Sequence, residues 1–237
     1  MNVDTLVEQL RQAHGDNLVA IVVYGSAASG DQRLSKPRDV NVLVLVRGLT
    51  LADLEQEGPV AQAWAKAGNP PPLTLTEDEW TESADIFPME YADVLEHHRV
   101  LHGDLPAEDR IIDREHLRLQ LEQQVMGKLI QLRQGVMAAA GKRGALLELL
   151  EDSLSTFMVL FRATARLHGE RPPFTNEALC QRMAELCGLD ATPFVRVVRH
   201  KRGDARLGAA DAAALLDRYL AETGRLKAHI DQFATTP

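Results

Sequence analysis

The sequence predicts an α+β protein in two parts, a small unit of mixed sheet and helices over residues 1–113 followed by an all-α helical bundle over 114–237. Three observations predict it. Seven of the eleven prolines precede Asp113 and none lies between Pro106 and Pro172, so the second part is free to form long helices. Charge changes at the same place: 8 Lys and Arg against 20 Asp and Glu up to Asp113, a net of −12, then 18 against 14 from Arg114 onward, a net of +4. The apolar period also changes, from mixed to purely helical. With 237 residues, 45% of them hydrophobic, the chain is long enough to bury a core in each part.

Taken in order, Val3, Leu6, Val7 and Leu10 mark an opening helix that Gly15 stops. Residues 18–24 are an apolar, β-branched run that reads as a buried strand, and 40–46 give a second. A helix is expected over 51–67, interrupted near Pro59, and Pro70, Pro71 and Pro72 form a rigid connection. Residues 73–75 suggest a third strand, and Thr76 with Glu79 has the spacing of a capping box, so a short helix starts there. Residues 86–94 read as another strand, with Pro88 at its start or on an edge. In the second part, Leu117, Leu121, Val125, Leu129 and Leu132 outline one long amphipathic helix, and Leu146, Leu149, Leu150, Leu154, Phe157, Met158 and Phe161 another. Further helices are expected over 175–187, ended by Gly188, over 193–200 and over 209–233.

Several function classes are disfavoured. The apolar runs are far below the ~18 residues of a membrane-spanning helix. Asp4 and Glu8 stand where a secretory signal carries positive charge, which predicts a cytoplasmic protein. Cys180 and Cys187 are seven apart in a helical stretch, too far for a disulfide, and their spacing does not suit a zinc site; buried free thiols are expected. A net charge of −8 and few aromatic residues argue against nucleic-acid binding.

Chemistry concentrates in one segment. The strand ends in Tyr24-Gly25-Ser26, a loop of small residues follows, and a second strand opens as Asp39-Val40-Asn41. Gly25 lets the backbone approach a ligand closely, and Ser26 with the amides after it can offer donors to phosphate oxygens. Residues 39 and 41 of a strand share a face, so Asp39 and Asn41 together can hold a hard divalent cation beside that cradle. A third carboxylate from a neighbouring strand would complete a two-metal clamp.

This segment resembles the nucleotidyltransferase superfamily, the polymerase-beta-like group, whose motif is a hydrophobic residue, Gly-Ser, a spacer, then Asp-x-Asp between hydrophobics. Twelve residues separate Ser26 from Asp39. The wider layout is similar to aminoglycoside (kanamycin) nucleotidyltransferases and bacterial relatives with a helical C-terminal domain; the stretches 84–91 and 97–103 are similar to what those relatives carry. The resemblance implies a nucleotidyltransferase-like palm domain over 1–113. It also implies a reaction in which Mg2+ (or Mn2+) and a nucleoside triphosphate deliver a nucleoside monophosphate to a hydroxyl of a small molecule or protein. Asp39 would bridge the metals, and Glu90 would be the third acid and would activate the acceptor, with Asp85 and Asp93 as competitors. The departure is Asn41, where the family has a second acid: Asp39, Asn41 and Glu90 carry −2, against −3 for three acids. This predicts weakened activity, or a relative that is catalytically inactive and serves as a nucleotide-binding or protein-interaction module.

Other residues stand out less. Lys128, on the first long helix, is a candidate phosphate contact, the alternative being a solvated surface lysine. Arg196, Arg199, His200, Lys201, Arg202 and Arg206 form a basic cluster that either meets an anionic partner or reflects the charge of a helix end. Arg162 and His168 carry a weak resemblance to RNA-cleaving helical domains. His97 and His98 are expected on an exposed turn. A homodimer is a candidate assembly.

Overall fold

The structure is a computed structural model that describes residues 1–25, 28, 40–106 and 112–234. The chain divides into two compact units, Met1–Asp113 and Arg114–Pro237.

In the first unit, α1 (Val3–His14) starts at Asn2, whose side chain accepts from the Thr5 N–H at 2.8 Å, and stops at Gly15, φ +51°. Strand β1 (Leu18–Tyr24) pairs antiparallel with β2 (Asn41–Val46), with Tyr24 opposite Asn41. Helix α2 (Leu51–Lys66) follows a capping box of Thr50 and Asp53. Strand β3 (Leu73–Thr76) then runs parallel to β2. Helix α3 (Glu77–Glu82) has the expected box of Thr76 and Glu79. Helix α4 (Pro88–Glu96) leads into β4 (His98–Gly103), antiparallel to β1. Among the described residues the sheet order is β3-β2-β1-β4.

Both faces of this sheet are covered, which is why β1 and β2 read as continuous apolar runs. Ile21, Val23, Val42, Val44 and Val46 pack against Leu6 and Leu10 of α1 and Val60 and Trp64 of α2. Ala20, Val22, Leu43 and Leu45 pack against Trp80 of α3 and Tyr91 and Val94 of α4. Trp80 and Tyr91 stack with centroids 3.9 Å apart, and the Tyr91 hydroxyl donates to the Trp80 carbonyl at 2.6 Å. Under the α1–α2 face, Glu57 accepts from the Thr74 hydroxyl at 2.7 Å and meets His14 Nε2 at 3.1 Å, all but shielded from water.

The structure corrects three expectations. Residues 86–94 are not a strand: Pro88 opens helix α4, where its fixed φ and missing N–H suit the first turn. Glu90 therefore sits on a helix, and does not share a strand face with Ile86 and Pro88. Helix α2 runs through Pro59 without interruption; the partner that Pro59 cannot supply belongs to Glu55, which is exposed, so water can take that carbonyl. His98 does not lie on a turn but begins β4, whose His98-Arg99-Val100-Leu101-His102 lacks the apolar alternation that would have marked it.

The second unit is all helix: α5 (Arg114–Ala139), α6 (Arg143–Leu167), α7 (Asn176–Cys187), α8 (Thr192–Arg202) and α9 (Ala209–Asp231). Leu117, Leu121, Val125, Leu129 and Leu132 form the buried stripe of α5. Phe157, Phe161, Phe194 and Tyr219 meet at tilted and edge-on angles in the core, with centroids 4.3–6.0 Å apart. Thr175 caps α7 at its start and Gly188, in the left-handed region at φ +66°, ends it. Cys180 and Cys187 are free thiols, as expected.

Candidate functional site

Strand β1 runs out at Tyr24-Gly25. Gly25 has φ +73°, a conformation that favours glycine, and a Cβ placed there would lie 3.4 Å from Asn41 Nδ2. The glycine thus brings the chain against the first side chain of β2. Its own N–H donates to the His97 carbonyl at 2.9 Å, and its carbonyl accepts from the Ala28 N–H at 3.0 Å. Entry into β2 is held by the Val40 N–H donating to Asn69 Oδ1 at 3.0 Å.

Strand alternation places Asn41 on the face of Leu43 and Leu45, the face that α3 and α4 cover, with Tyr24 across from it. Helix α4 contributes Glu90, exposed in its first turn, and Asp93, half-buried one turn later. Burial pushes the Tyr24 hydroxyl pKa above its ordinary value, and the nearby charges of Asp93 and then Glu90 push it further in the same direction. Two carboxylates, an amide and a phenol are therefore gathered at the end of the sheet where Gly25 turns. All carry oxygen atoms, the donor type that hard divalent cations take.

Of the residues singled out in the sequence, the structure brings Gly25 and Asn41 together and puts Glu90 and Asp93 beside Tyr24. Asp85 is exposed in the turn between α3 and α4. Ser26, Arg38 and Asp39 lie outside the described residues. Tyr24 was missed, although its place at the end of an apolar strand, next to Gly25, was a usable signal. In the helical unit, Lys128 is half-buried on α5; burial pushes its pKa down, and Asp152 of α6 opposes that. The basic cluster of α8 is paired internally: Arg199 and Arg202 with Glu177 at 2.5 and 3.3 Å, Arg196 with Asp211 at 3.9 Å, and His200 with Glu151 at 2.7 Å. Those pairs favour the helix-end reading. His168 is the C-terminal cap of α6 and Arg162 lies on that helix.

A mixed four-stranded sheet flanked by helices and followed by a helical region is a nucleotidyltransferase fold of the α+β class. It is the fold of spectinomycin adenyltransferase AAD(9) from Enterococcus faecialis, solved with ATP and spectinomycin. That structure matches with a TM-score of 0.63 at 13% sequence identity, over 95% of this chain and 98% of the other. No protein-family model matches the sequence, and no curated protein does. Among the described residues no helix is long and apolar enough to cross a membrane.

Proposed function

We propose that this protein is a nucleotidyltransferase, moving a nucleoside monophosphate from a nucleoside triphosphate to a hydroxyl of a small molecule with magnesium (or manganese). The observation that carries the reading is the Gly25 turn, which abuts Asn41 at the sheet end where Glu90 and Asp93 face Tyr24. ATP and spectinomycin in the structurally similar adenyltransferase support both the donor and the small-molecule acceptor.

Asp39, Asn41 and Glu90 are the residues that would hold the metal. Bound there, the cation would neutralise phosphate oxygens and align the α-phosphate for displacement of pyrophosphate. Gly25 works by having no side chain, so that a phosphate oxygen can approach the backbone. Its N–H already donates to the His97 carbonyl, so the part of Gly25 is close approach and not donation. Tyr24, its pKa raised, stays a neutral hydroxyl and can donate a hydrogen bond at the same end. Glu90, exposed on the first turn of α4, takes the proton of the acceptor hydroxyl, and Asp93 is the competing acid.

Asn41 supports a second reading, a catalytically inactive relative that binds nucleotide or a protein partner. The deciding experiment compares the parent with Asn41→Asp, Asp39→Asn, Glu90→Gln and Asp93→Asn. ATP, GTP, CTP and UTP are tested by thermal shift and calorimetry with and without magnesium, and pyrophosphate release is followed with polyhydroxylated acceptors. On the nucleotidyltransferase reading, ATP binding depends on magnesium, Asp39→Asn abolishes that dependence, and Asn41→Asp tightens metal affinity about tenfold (~1.4 kcal/mol). Of the two α4 variants, Glu90→Gln should lose more turnover. Magnesium dependence absent from the parent and untouched by Asn41→Asp and Asp39→Asn would leave only the scaffold reading.

A further inference from the structure

The helical unit holds a cluster that the proposed transfer reaction does not use. His168 caps the C-terminal end of α6, Cys187 is the last residue of α7, and His229 lies in the last turn of α9. Their ligand atoms all lie within 4.8 Å of one another, and the two Nε2 atoms are 3.0 Å apart. Residues 61 and 42 positions apart along the chain have thus been brought to one point, with all three side chains half-buried.

We propose that His168, Cys187 and His229 form a zinc site that ties together the C-terminal ends of α6, α7 and α9. Two imidazole nitrogens and a thiolate are the borderline and soft donors that zinc takes, and magnesium does not. In a tetrahedral site with Zn–N near ~2.05 Å, the two nitrogens would be ~3.3 Å apart, so the observed pair needs only a few tenths of an ångström of adjustment. Three helix C-termini converge here, each presenting the negative end of its dipole, which favours a cation. Phe233 lies edge-on to His168 at 4.8 Å and walls one side.

Glu170 is gripped by Arg182, which also pairs with Glu185, so its carboxylate is held away from the cluster and the fourth position is left to water. Arg114, which donates to the Leu167 carbonyl at 2.8 Å, and Arg182 are the nearby cations that act on His168 and oppose a metal ion; Glu170, the thiolate and the helix ends act the other way. Zinc binding releases the Cys187 thiol proton to solvent as the Zn–S bond forms.

The test uses the full chain freed of metal with EDTA, with Co2+ and Zn2+ as probes. One equivalent of Co2+ should produce tetrahedral ligand-field bands and a thiolate-to-cobalt charge-transfer band, both bleached by one equivalent of Zn2+. Zinc in ~100-fold excess over its Kd should raise Tm by about 5 °C or more. Cys187→Ser should lose the charge-transfer band, His229→Ala should lose the tetrahedral spectrum, and Cys180→Ser should keep both; far-UV circular dichroism confirms that each variant is folded. If the folded parent gives neither band nor Tm shift, the two histidines share only a hydrogen bond and the proposal fails. It fails equally if the charge-transfer band survives Cys187→Ser. Nucleotide binding plays no part in either readout, so this result is independent of the transferase reading.

Discussion

Gly25→Ala separates backbone strain from ligand approach. At φ +73° an alanine costs roughly 1–2 kcal/mol in the left-handed region, offset by up to ~1 kcal/mol from the stiffer unfolded chain. The new methyl would sit 3.4 Å from Asn41 Nδ2, an ordinary contact, so little further strain arises inside the protein. The net loss should be about 1 kcal/mol, or about 2–4 °C in Tm for a chain of this length. Gly188→Ala is the control: its φ is +66° and nothing lies within 4 Å of the added Cβ, so the stability loss should be similar. The two variants should part on ligand affinity. On the proposed reading a methyl on the Gly25 turn takes up the space that a phosphate oxygen needs, so ATP–magnesium affinity measured by calorimetry should fall at least tenfold, a change of ~1.4 kcal/mol. Gly188→Ala should bind as the parent does. Equal ATP affinities in the two variants, at matched stability loss, would refute a phosphate-facing role for the turn.

Two further predictions follow from burial. Glu57→Ala removes the carboxylate that accepts from Thr74 Oγ1 and that meets buried His14, and should cost ~3 kcal/mol in urea unfolding; the double variant with His14→Leu should lose clearly less than the sum of the two single changes. Burial pushes the Cys180 thiol up to about 12, so at pH 8 it is almost wholly protonated, and in a Cys187→Ser background the folded protein should react with iodoacetamide far more slowly than a free thiol does. Rapid labelling under native conditions would show that Cys180 is not held in the core.

Local rules were readable wherever neighbouring residues set them. The apolar runs of β1 and β2, the boxes at Thr76 and Glu79, the stop at Gly188 and the helical stripes of α5 and α6 all depend on residues within a few positions of each other, and each formed as expected. The misreading of 86–94 was also local. Pro88 is as natural at the first turn of a helix as at a strand start, and the three- and four-residue spacing of Pro88, Tyr91 and Ala92 was the helical signal that could have decided it. Strand β4 is different: His98, Arg99 and His102 carry no strand period, and its pairing comes from β1, which supplies the partner edge.

The candidate sites divide in the same way. The order of residues alone was enough to point to Gly25, to Asp39 just before β2 and to Asn41 as the departure, because a glycine turn followed by a polar strand start is a short-range pattern. Folding alone decided that Asn41 lies against Gly25 and that Tyr24 faces two carboxylates on α4, since a β-strand pairing and a helix crossing the sheet join residues 16 to 69 positions apart. The same holds for His168, Cys187 and His229, whose spacings match no metal motif. They meet because three helices happen to end at one point. That is a property of packing, set by which apolar faces bury together, and no local sequence pattern encodes it.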